Sequence, residues 1–196
     1  MPPLKGILPQ EWQDRSEKWA KAVWENKKNR PDAFRYDRPE ARMDWRVNWW
    51  ARQGECWVCL FLQKDPGLLD WNEHHPDDGC DILYSPLILQ VKATRTFDPP
   101  YLMWPVTKNH LWKDARFDIM IGVASANYPE HEIFGWTWKH VFERLRHVAK
   151  GHRFNTQYGN RTDAGLVDGT WYMEPDELWP MSDFYAETNL WRRIEA

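Results

Sequence analysis

The sequence predicts an α/β domain in which a mixed central β-sheet is flanked by helices. Two segments with helical spacing of apolar residues precede residue 64, and a period of two then marks four segments between residues 80 and 136. A further helical segment follows these strands. A chain of 196 residues, 42% of them hydrophobic, is large enough to bury one full core of this kind.

Two helices are expected first. Gln10 to Asn29 is polar and charge-rich, and it should end before Pro31 because the residue that precedes a proline avoids helical angles. The second helix is expected to begin at Pro39 or Glu40 and to end at Gln63. Its wide apolar stripe predicts that it is largely buried.

Four strands are predicted from alternating apolar residues. They are Cys80 to Tyr84, Leu87 to Thr94, Asp118 to Ser125 and His131 to Trp136. The first two are expected to join across Ser85-Pro86 as an antiparallel hairpin.

The remaining segments complete the predicted order. Phe97 to Lys113 contains three prolines and is expected to be irregular. Thr137 is expected to cap a helix from Trp138 to Lys150. A short strand near Thr170 to Met173 and a helix after Ser182 follow.

Domain organisation and compartment are predicted from composition. The chain divides into an N-terminal helical extension, residues 1–38, and an α/β domain, residues 39–196. Three cysteines, an odd number, fit a reducing cytoplasm, and no apolar run reaches the length of a membrane span. The net charge of −3 weighs mildly against DNA binding unless cations gather on one face. The sequence has no phosphate-binding loop, so we expect no nucleotide cofactor.

Polar residues line one face of the second predicted strand. Gln90, Lys92 and Thr94 alternate with apolar neighbours, and each buried polar group without a partner costs about 1–3 kcal/mol. For a hairpin centred on Ser85-Pro86, Asp81 lies opposite Gln90 and on the same face. The spacing therefore predicts that Asp81, Gln90 and Lys92 converge.

A third acid precedes the hairpin. Glu55 lies on the helix predicted to be buried, where a carboxylate must be paired, coordinated or neutralised. Gly54 beside it costs about 1 kcal/mol relative to alanine in a helix, which suggests that the helix packs closely on the sheet.

These residues resemble the core of the PD-(D/E)xK nuclease superfamily. In that family an acid on one strand is followed by acid-x-lysine on the next, with a glutamate on the preceding helix. Asp81, Gln90-Val91-Lys92 and Glu55 match this order, and the likeness to small phage-type and resolvase-like members extends over residues 48–146. Gln90 is a departure, because it stands where the family usually has Asp or Glu.

The resemblance implies a restriction-endonuclease-like core of order α-β-β-β-α-β and a Mg²⁺ site, with Mn²⁺ as a substitute. Asp81 and Glu55 would be the metal ligands, completed by the Gln90 amide or the Val91 carbonyl. Lys92 would act on the attacking water or stabilise the transition state. Nucleic-acid contacts would come from Thr94, Arg95, Lys108, Lys113 and Arg116.

The function implied by this likeness is metal-dependent hydrolysis of DNA phosphodiester bonds in phage, recombination or repair processing. Endonuclease action is favoured over exonuclease action, and paired strand cutting would suggest a homodimer. The alternative is a catalytically inactive subunit of the same fold that holds nucleic acid or a protein partner. RNA in place of DNA stays open.

Other interpretations compete for several residues. Lys92 could form a plain buried ion pair with Asp81 or Glu55. Cys56 and Cys59 could bind zinc, although buried core thiols are the simpler interpretation. Pro76-Asp77 spells the family motif but falls outside the hairpin pairing. Three nearby tryptophans could stack on bases or pack in the core: Trp45, Trp49 and Trp50.

Overall fold

The computed structural model describes most of the chain. It covers residues 4–28, 44–72, 81–94, 100–104, 111–125, 128–150, 154–156, 159–161 and 169–194. Four helices lie in these ranges: α1 (Gln10–Lys28), α2 (Arg46–Phe61), α3 (Lys139–Leu145) and α4 (Met181–Ile194). The strands of the described ranges are β1 (Lys5–Ile7), β2 (Ile82–Tyr84), β3 (Leu87–Thr94), β4 (Leu102–Trp104), β5 (Ile119–Ala124), β6 (Glu130–Trp138), β7 (His147–Val148), β8 (Phe154–Thr156), β9 (Gly159–Arg161) and β10 (Trp171–Met173).

A mixed five-stranded sheet forms the centre of the molecule. Its strand order is β1-β6-β5-β3-β2, with β3 and β5 parallel and the other neighbours antiparallel. The predicted mixed sheet flanked by helices is therefore confirmed. The predicted hairpin register is confirmed as well: Ile82 with Leu89, Leu83 with Ile88, and Tyr84 with Leu87.

Helices cover one face of this sheet. Leu87, Leu89 and Val91 of β3 join the larger apolar core together with α2 and α4. An ideal Cβ added at Gly54 would lie 3.0 Å from the Cβ of Ala93, so glycine permits the close approach of α2 to β3. The close packing expected at this glycine is confirmed, as is the burial of α2.

A second, smaller sheet covers part of the opposite face. Its strands lie in the order β4-β10-β7, and all pairs are antiparallel. Between the two sheets is a separate apolar core rich in aromatic rings, to which α3 contributes Phe142 and β5 contributes Met120. Gln90 and Lys92 alternate with the residues of the larger core, so their side chains belong to this second face.

The predicted ends of two helices are wrong. The second helix begins at Arg46 rather than at Pro39 or Glu40. The helix after β6 ends at Leu145 rather than at Lys150, and the Thr137 side chain does not cap it, since Trp138 is the N-cap residue. Arg146 turns the chain into an extended conformation, and His147 and Val148 pair with β10. The last residues of the predicted helix therefore form a strand that pairs with β10, which is distant in the sequence.

The segment expected to be irregular contains a strand. Leu102–Trp104 pairs with β10 inside Phe97 to Lys113. The apolar residues between the prolines are buried in the second core, and this burial stabilises an extended conformation that local spacing does not reveal.

The N-terminal segment packs with the rest of the chain. β1 pairs with β6 at one edge of the central sheet, and α1 packs along α2 with Ala20 and Val23 buried. The boundary predicted at residue 38 lies outside the described residues. Within those residues, no helix is both long and apolar enough to cross a bilayer.

Candidate functional site

The Asp81 carboxylate is held at the start of β2, beside β3. Its Oδ2 atom accepts hydrogen bonds from the Gln90 side-chain amide and, at 2.6 Å, from the Val91 backbone N–H. Its own backbone N–H donates to the Leu89 carbonyl at 3.2 Å, which continues the hairpin by one residue. Asp81 is only 8% exposed, so this carboxylate occupies a fixed position. The structure thus brings Asp81 and Gln90 together.

Lys92 lies two residues further along the same face of β3. Its ammonium is 5.1 Å from the centre of the Trp104 ring, a distance that allows a cation–π interaction. Trp104 is buried between Trp112 and Phe117, so the ring cannot move away easily. Lys92 therefore presents its charge from an aromatic surface rather than from open solvent.

A glycine beside Lys92 allows a ring to cover the sheet. Gly122 of β5 is the register partner of Lys92, and a Cβ at this position would overlap the Phe134 ring. The register of β5 and β6 shifts here, and Phe134 is the additional residue. The bulge directs Phe134 onto the face of the sheet that carries Lys92, where its ring packs against the second core.

Glu55 lies on the side of α2 that faces β2. Gln53 contacts His131 of β6, and Gly54 lies against Ala93 of β3. Successive residues of a helix are about 100° apart, so Glu55 projects away from β6 and toward the β2 side. Helix α2, however, packs on the face of the sheet opposite to the one that carries the side chains of Gln90 and Lys92.

The Glu55 carboxylate also has a partner that sequence analysis missed, although it lies at the i, i+3 spacing at which helical side chains meet. Arg52 lies 2.7 Å from it, one turn earlier on α2, and both side chains are buried. The Arg52 guanidinium is 3.9 Å from the centre of the Trp19 ring, on α1. The charge of Glu55 is therefore largely compensated by Arg52, which weakens it as a direct metal ligand.

The predicted nucleic-acid contacts are distributed over two places. Thr94 is buried at the end of β3, and its carbonyl accepts the Ser125 N–H at 2.8 Å. Its hydroxyl has no hydrogen-bond partner within the described ranges. Lys113 and Arg116 are exposed on the segment that leads into β5. Two further predicted contacts, Arg95 and Lys108, lie outside the described residues. The Pro76-Asp77 pair lies outside them as well.

The donor atoms at Asp81 and Gln90 suit a hard cation. Carboxylate and amide oxygens are ligands that Mg²⁺ prefers. The Gln90 amide nitrogen faces Asp81, so its oxygen is the atom that it can offer to a cation. Across the ranges that the structure covers, no three or more His, Cys, Asp or Glu side chains are grouped to hold a metal. The residues fit a site of low negative charge that water would complete.

A buried polar network was missed by sequence analysis. The Ser125 hydroxyl lies 2.8 Å from Nδ1 of His131, and the opposite ring nitrogen lies 3.1 Å from the Gln53 side-chain oxygen. Because that oxygen can only accept, Nε2 carries the proton and Nδ1 accepts from the serine. Burial lowers the pKa of His131 from 6.5 to about 4. No spacing rule links these three residues, which come from a helix, a strand end and a strand.

The neutral His131 makes stability depend on pH. The unfolded chain takes up a proton near pH 6.5, whereas the folded chain resists it until about pH 4, so stability is lost as pH falls through this window. We expect the free energy of unfolding to fall by about 2 kcal/mol between pH 7 and pH 5. Denaturant unfolding at pH 7 and pH 5 measures it. His131→Gln should show a smaller difference between the two pH values, and the exposed-site variant His140→Gln an unchanged one; equal differences in all three proteins would contradict the assignment.

The two described cysteines are core residues. Cys56 and Cys59 are buried on α2, and burial raises the pKa of the Cys56 thiol to about 12 and that of Cys59 further still. Their burial confirms the simpler of the two interpretations. Trp49 contacts Trp45, Trp50 and Tyr128 through tilted rings, and base stacking on this group stays a prediction.

Comparisons with known proteins give no family for this chain. No protein-family model matches it, and no match is found among curated proteins or solved structures.

Proposed function

We propose that this chain is a metal-dependent nuclease built on a restriction-endonuclease-like core. The observation that supports the proposal most strongly is the position of the Asp81 carboxylate. It is fixed by the Gln90 amide and the Val91 N–H, and Lys92 follows on the same face of the same strand. The resemblance implies a hairpin that carries an acid and a lysine and that follows a buried helix with a glutamate. Asp81, Lys92 and Glu55 stand in this order along the chain.

Each residue has a distinct role in the proposed reaction. Asp81 and the Gln90 oxygen would hold Mg²⁺, which supplies a bound water of lowered pKa and neutralises charge on the phosphate. Because Arg52 compensates its charge, Glu55 would contribute through a water molecule rather than directly. Lys92, placed against Trp104, would act as a fixed cation beside the reacting phosphate.

The test is cutting of supercoiled plasmid, linear duplex and single-stranded DNA by the purified chain in EDTA, Mg²⁺ or Mn²⁺. We expect cutting that requires the metal, and opening of the supercoiled circle would identify endonuclease action. Absence of cutting with every metal would contradict the nuclease proposal.

A non-cutting, nucleic-acid-binding subunit is the second candidate. Gln90 favours it, because an amide in place of the usual acid removes a negative charge from the metal site. The hydrogen bond from the Gln90 amide also engages one oxygen of the Asp81 carboxylate.

Gln90→Glu tests, by a measurement of stability, whether Asp81 and residue 90 form a metal site. Two adjacent carboxylates repel each other in EDTA, so the melting temperature should fall, and Mg²⁺ should then stabilise the variant more than the wild type. Each tenfold gain in metal affinity contributes about 1.4 kcal/mol. Gln10→Glu is the matched control, since Gln10 donates to Asp14 at 2.7 Å on the surface. Equal Mg²⁺ stabilisation of both variants would contradict a metal site at Asp81.

A further inference from the structure

Positive charge is concentrated in two segments of this acidic protein. Residues 111–117 and 139–150 contain six Lys or Arg and two Asp or Glu, a net charge of +4 in a chain whose total is −3. We call their six cationic side chains the basic surface: Lys113, Arg116, Lys139, Arg144, Arg146 and Lys150. Such segregation of charge indicates an anionic partner.

Contacts between the segments place them side by side. The Lys139 ammonium donates to the Ala115 carbonyl at 2.5 Å and lies 5.5 Å from the centre of the Trp112 ring. Arg146 lies 3.8 Å from the centre of the Trp171 ring, which in turn packs edge-on against Trp112 at 5.5 Å. Trp112 and Trp171 therefore form a continuous contact between Lys139 and Arg146 of the basic surface.

The cations of the basic surface are not neutralised by carboxylates within the described part of the chain. None of them is among the ion pairs there, whereas five cations elsewhere are within 4 Å of an acid: Lys5, Lys21, Lys28, Arg46 and Arg52. The acids closest in sequence are Asp114 and Glu143. Glu177, on the neighbouring 3₁₀ turn, is bonded to His147 at 2.7 Å. Four of the six are also exposed in the part of the chain that the structure describes: Lys113, Arg116, Arg144 and Lys150.

A continuous series of ring contacts links this surface to the candidate site. Lys92 lies 5.1 Å from the centre of Trp104, Trp104 packs 5.0 Å from Trp112, and Trp112 is 5.5 Å from Lys139. All four side chains belong to the same face of the central sheet. A substrate held on the basic surface would therefore lie on the Lys92 side of the molecule.

We propose that the basic surface binds the phosphate backbone of duplex DNA and so positions it for the site at Lys92. This inference rests on the proposed function for its link to cutting. A duplex offers roughly one phosphate charge per 1.7 Å of its axis, so a row of cations meets several. Binding of unpaired bases would require exposed rings, but Trp112 is 2% exposed and Trp171 is covered by Arg146.

Salt dependence of binding tests this proposal. Fluorescence anisotropy of a labelled duplex is measured in EDTA, so that no cutting occurs, over a series of salt concentrations. The double variant Arg144→Ala, Lys150→Ala should lower the slope of log affinity against log salt by about 2, and should weaken the affinity near 0.1 M salt by roughly tenfold for each cation removed. The control is Lys18→Ala, Lys28→Ala, two exposed positions on α1, which removes the same charge and should bind as the wild type does.

Several outcomes would overturn the basic surface as a DNA site. They are equal losses in both double variants, an unchanged slope in the first, tighter binding of single-stranded DNA than of duplex, or preferential binding to phosphatidylserine vesicles. The vesicle comparison is included because Leu145 and Val148, at 53% and 43% exposure, lie among these cations. Duplex binding that depends on Arg144 and Lys150 without cutting would retain this proposal and reject the nuclease. If the protein cuts DNA but the double variant binds duplex as tightly as the wild type, the nuclease proposal is retained and the basic surface is rejected as a DNA site.

Discussion

Lys92→Ala is expected to lower metal-dependent cutting by about 10²–10³-fold, the loss typical of removing one charge-stabilising group from a site. The physical reason is its fixed position: the ammonium lies against Trp104, on the face that carries Asp81 and Gln90. Removal leaves the developing charge on the phosphate without this cation. Initial rates of plasmid nicking in Mg²⁺, at matched protein concentration, give the measurement.

Lys64→Ala is the matched control for this experiment. The Lys64 ammonium lies 5.4 Å from the centre of the Tyr84 ring, so its removal deletes the same kind of contact away from the Asp81–Gln90 pair. Both variants should retain the circular dichroism spectrum of the wild type. If Lys92→Ala cuts as fast as Lys64→Ala, Lys92 has no part in the reaction, and its contact with Trp104 only stabilises the fold.

Trp136→Ala should cause the largest loss of stability, about 3–5 kcal/mol. Trp136 is fully buried near the C-terminal end of β6, and its ring packs against Trp138, Trp179 and Phe184. The substitution leaves a cavity and removes the indole hydrogen bond to the Pro180 carbonyl, whose length is 3.1 Å. For a chain of this size, the melting temperature should fall by about 10 °C.

Trp179→Ala provides the comparison, because Trp179 is 37% exposed while it touches the same ring. We expect Trp179→Ala to lower the free energy of unfolding by less than half as much as Trp136→Ala does. Urea unfolding of both variants under the same conditions gives the measurement. Equal losses in the two variants would show that Trp136 is not the centre of this core.

The β2–β3 hairpin could be predicted from the sequence because its constraints are local. Alternation fixed the faces of β3, and the two-residue loop at Ser85-Pro86 fixed the register without knowledge of any distant contact. The hydrogen bond between Asp81 and Gln90 follows from this register. Helix α1 and strands β5 and β6 were also found, with ends that differ by one or two residues.

The second sheet could not be predicted, because its strands are stabilised by partners far away in the chain. Leu102–Trp104 pairs with Trp171–Met173, and the latter also pairs with His147 and Val148. Each strand is too short for a period of two to be distinct, so burial and pairing decide its conformation. The same reason explains the wrong helix end at Lys150.

The surroundings of His131 were beyond the sequence, whereas the partner of Glu55 was not. Arg52 stands three residues before Glu55 on the same predicted helix, a spacing at which side chains of opposite charge meet. His131 gave no signal because Ser125 and Gln53 reach it from separate elements. Side-chain partners that depend on tertiary packing need coordinates.

The pairing of β1 with β6 has a consequence for the order of folding. Gly6 pairs with His131, so β1, which precedes the other strands of this sheet in the sequence, must wait for a partner made much later. Helices α1 and α2 and the β2–β3 hairpin depend on nearer contacts, and contacts of short sequence separation form faster. We therefore expect β1 to dock late, and its segment to be the first part of the sheet that exchanges amide hydrogens when the protein opens locally.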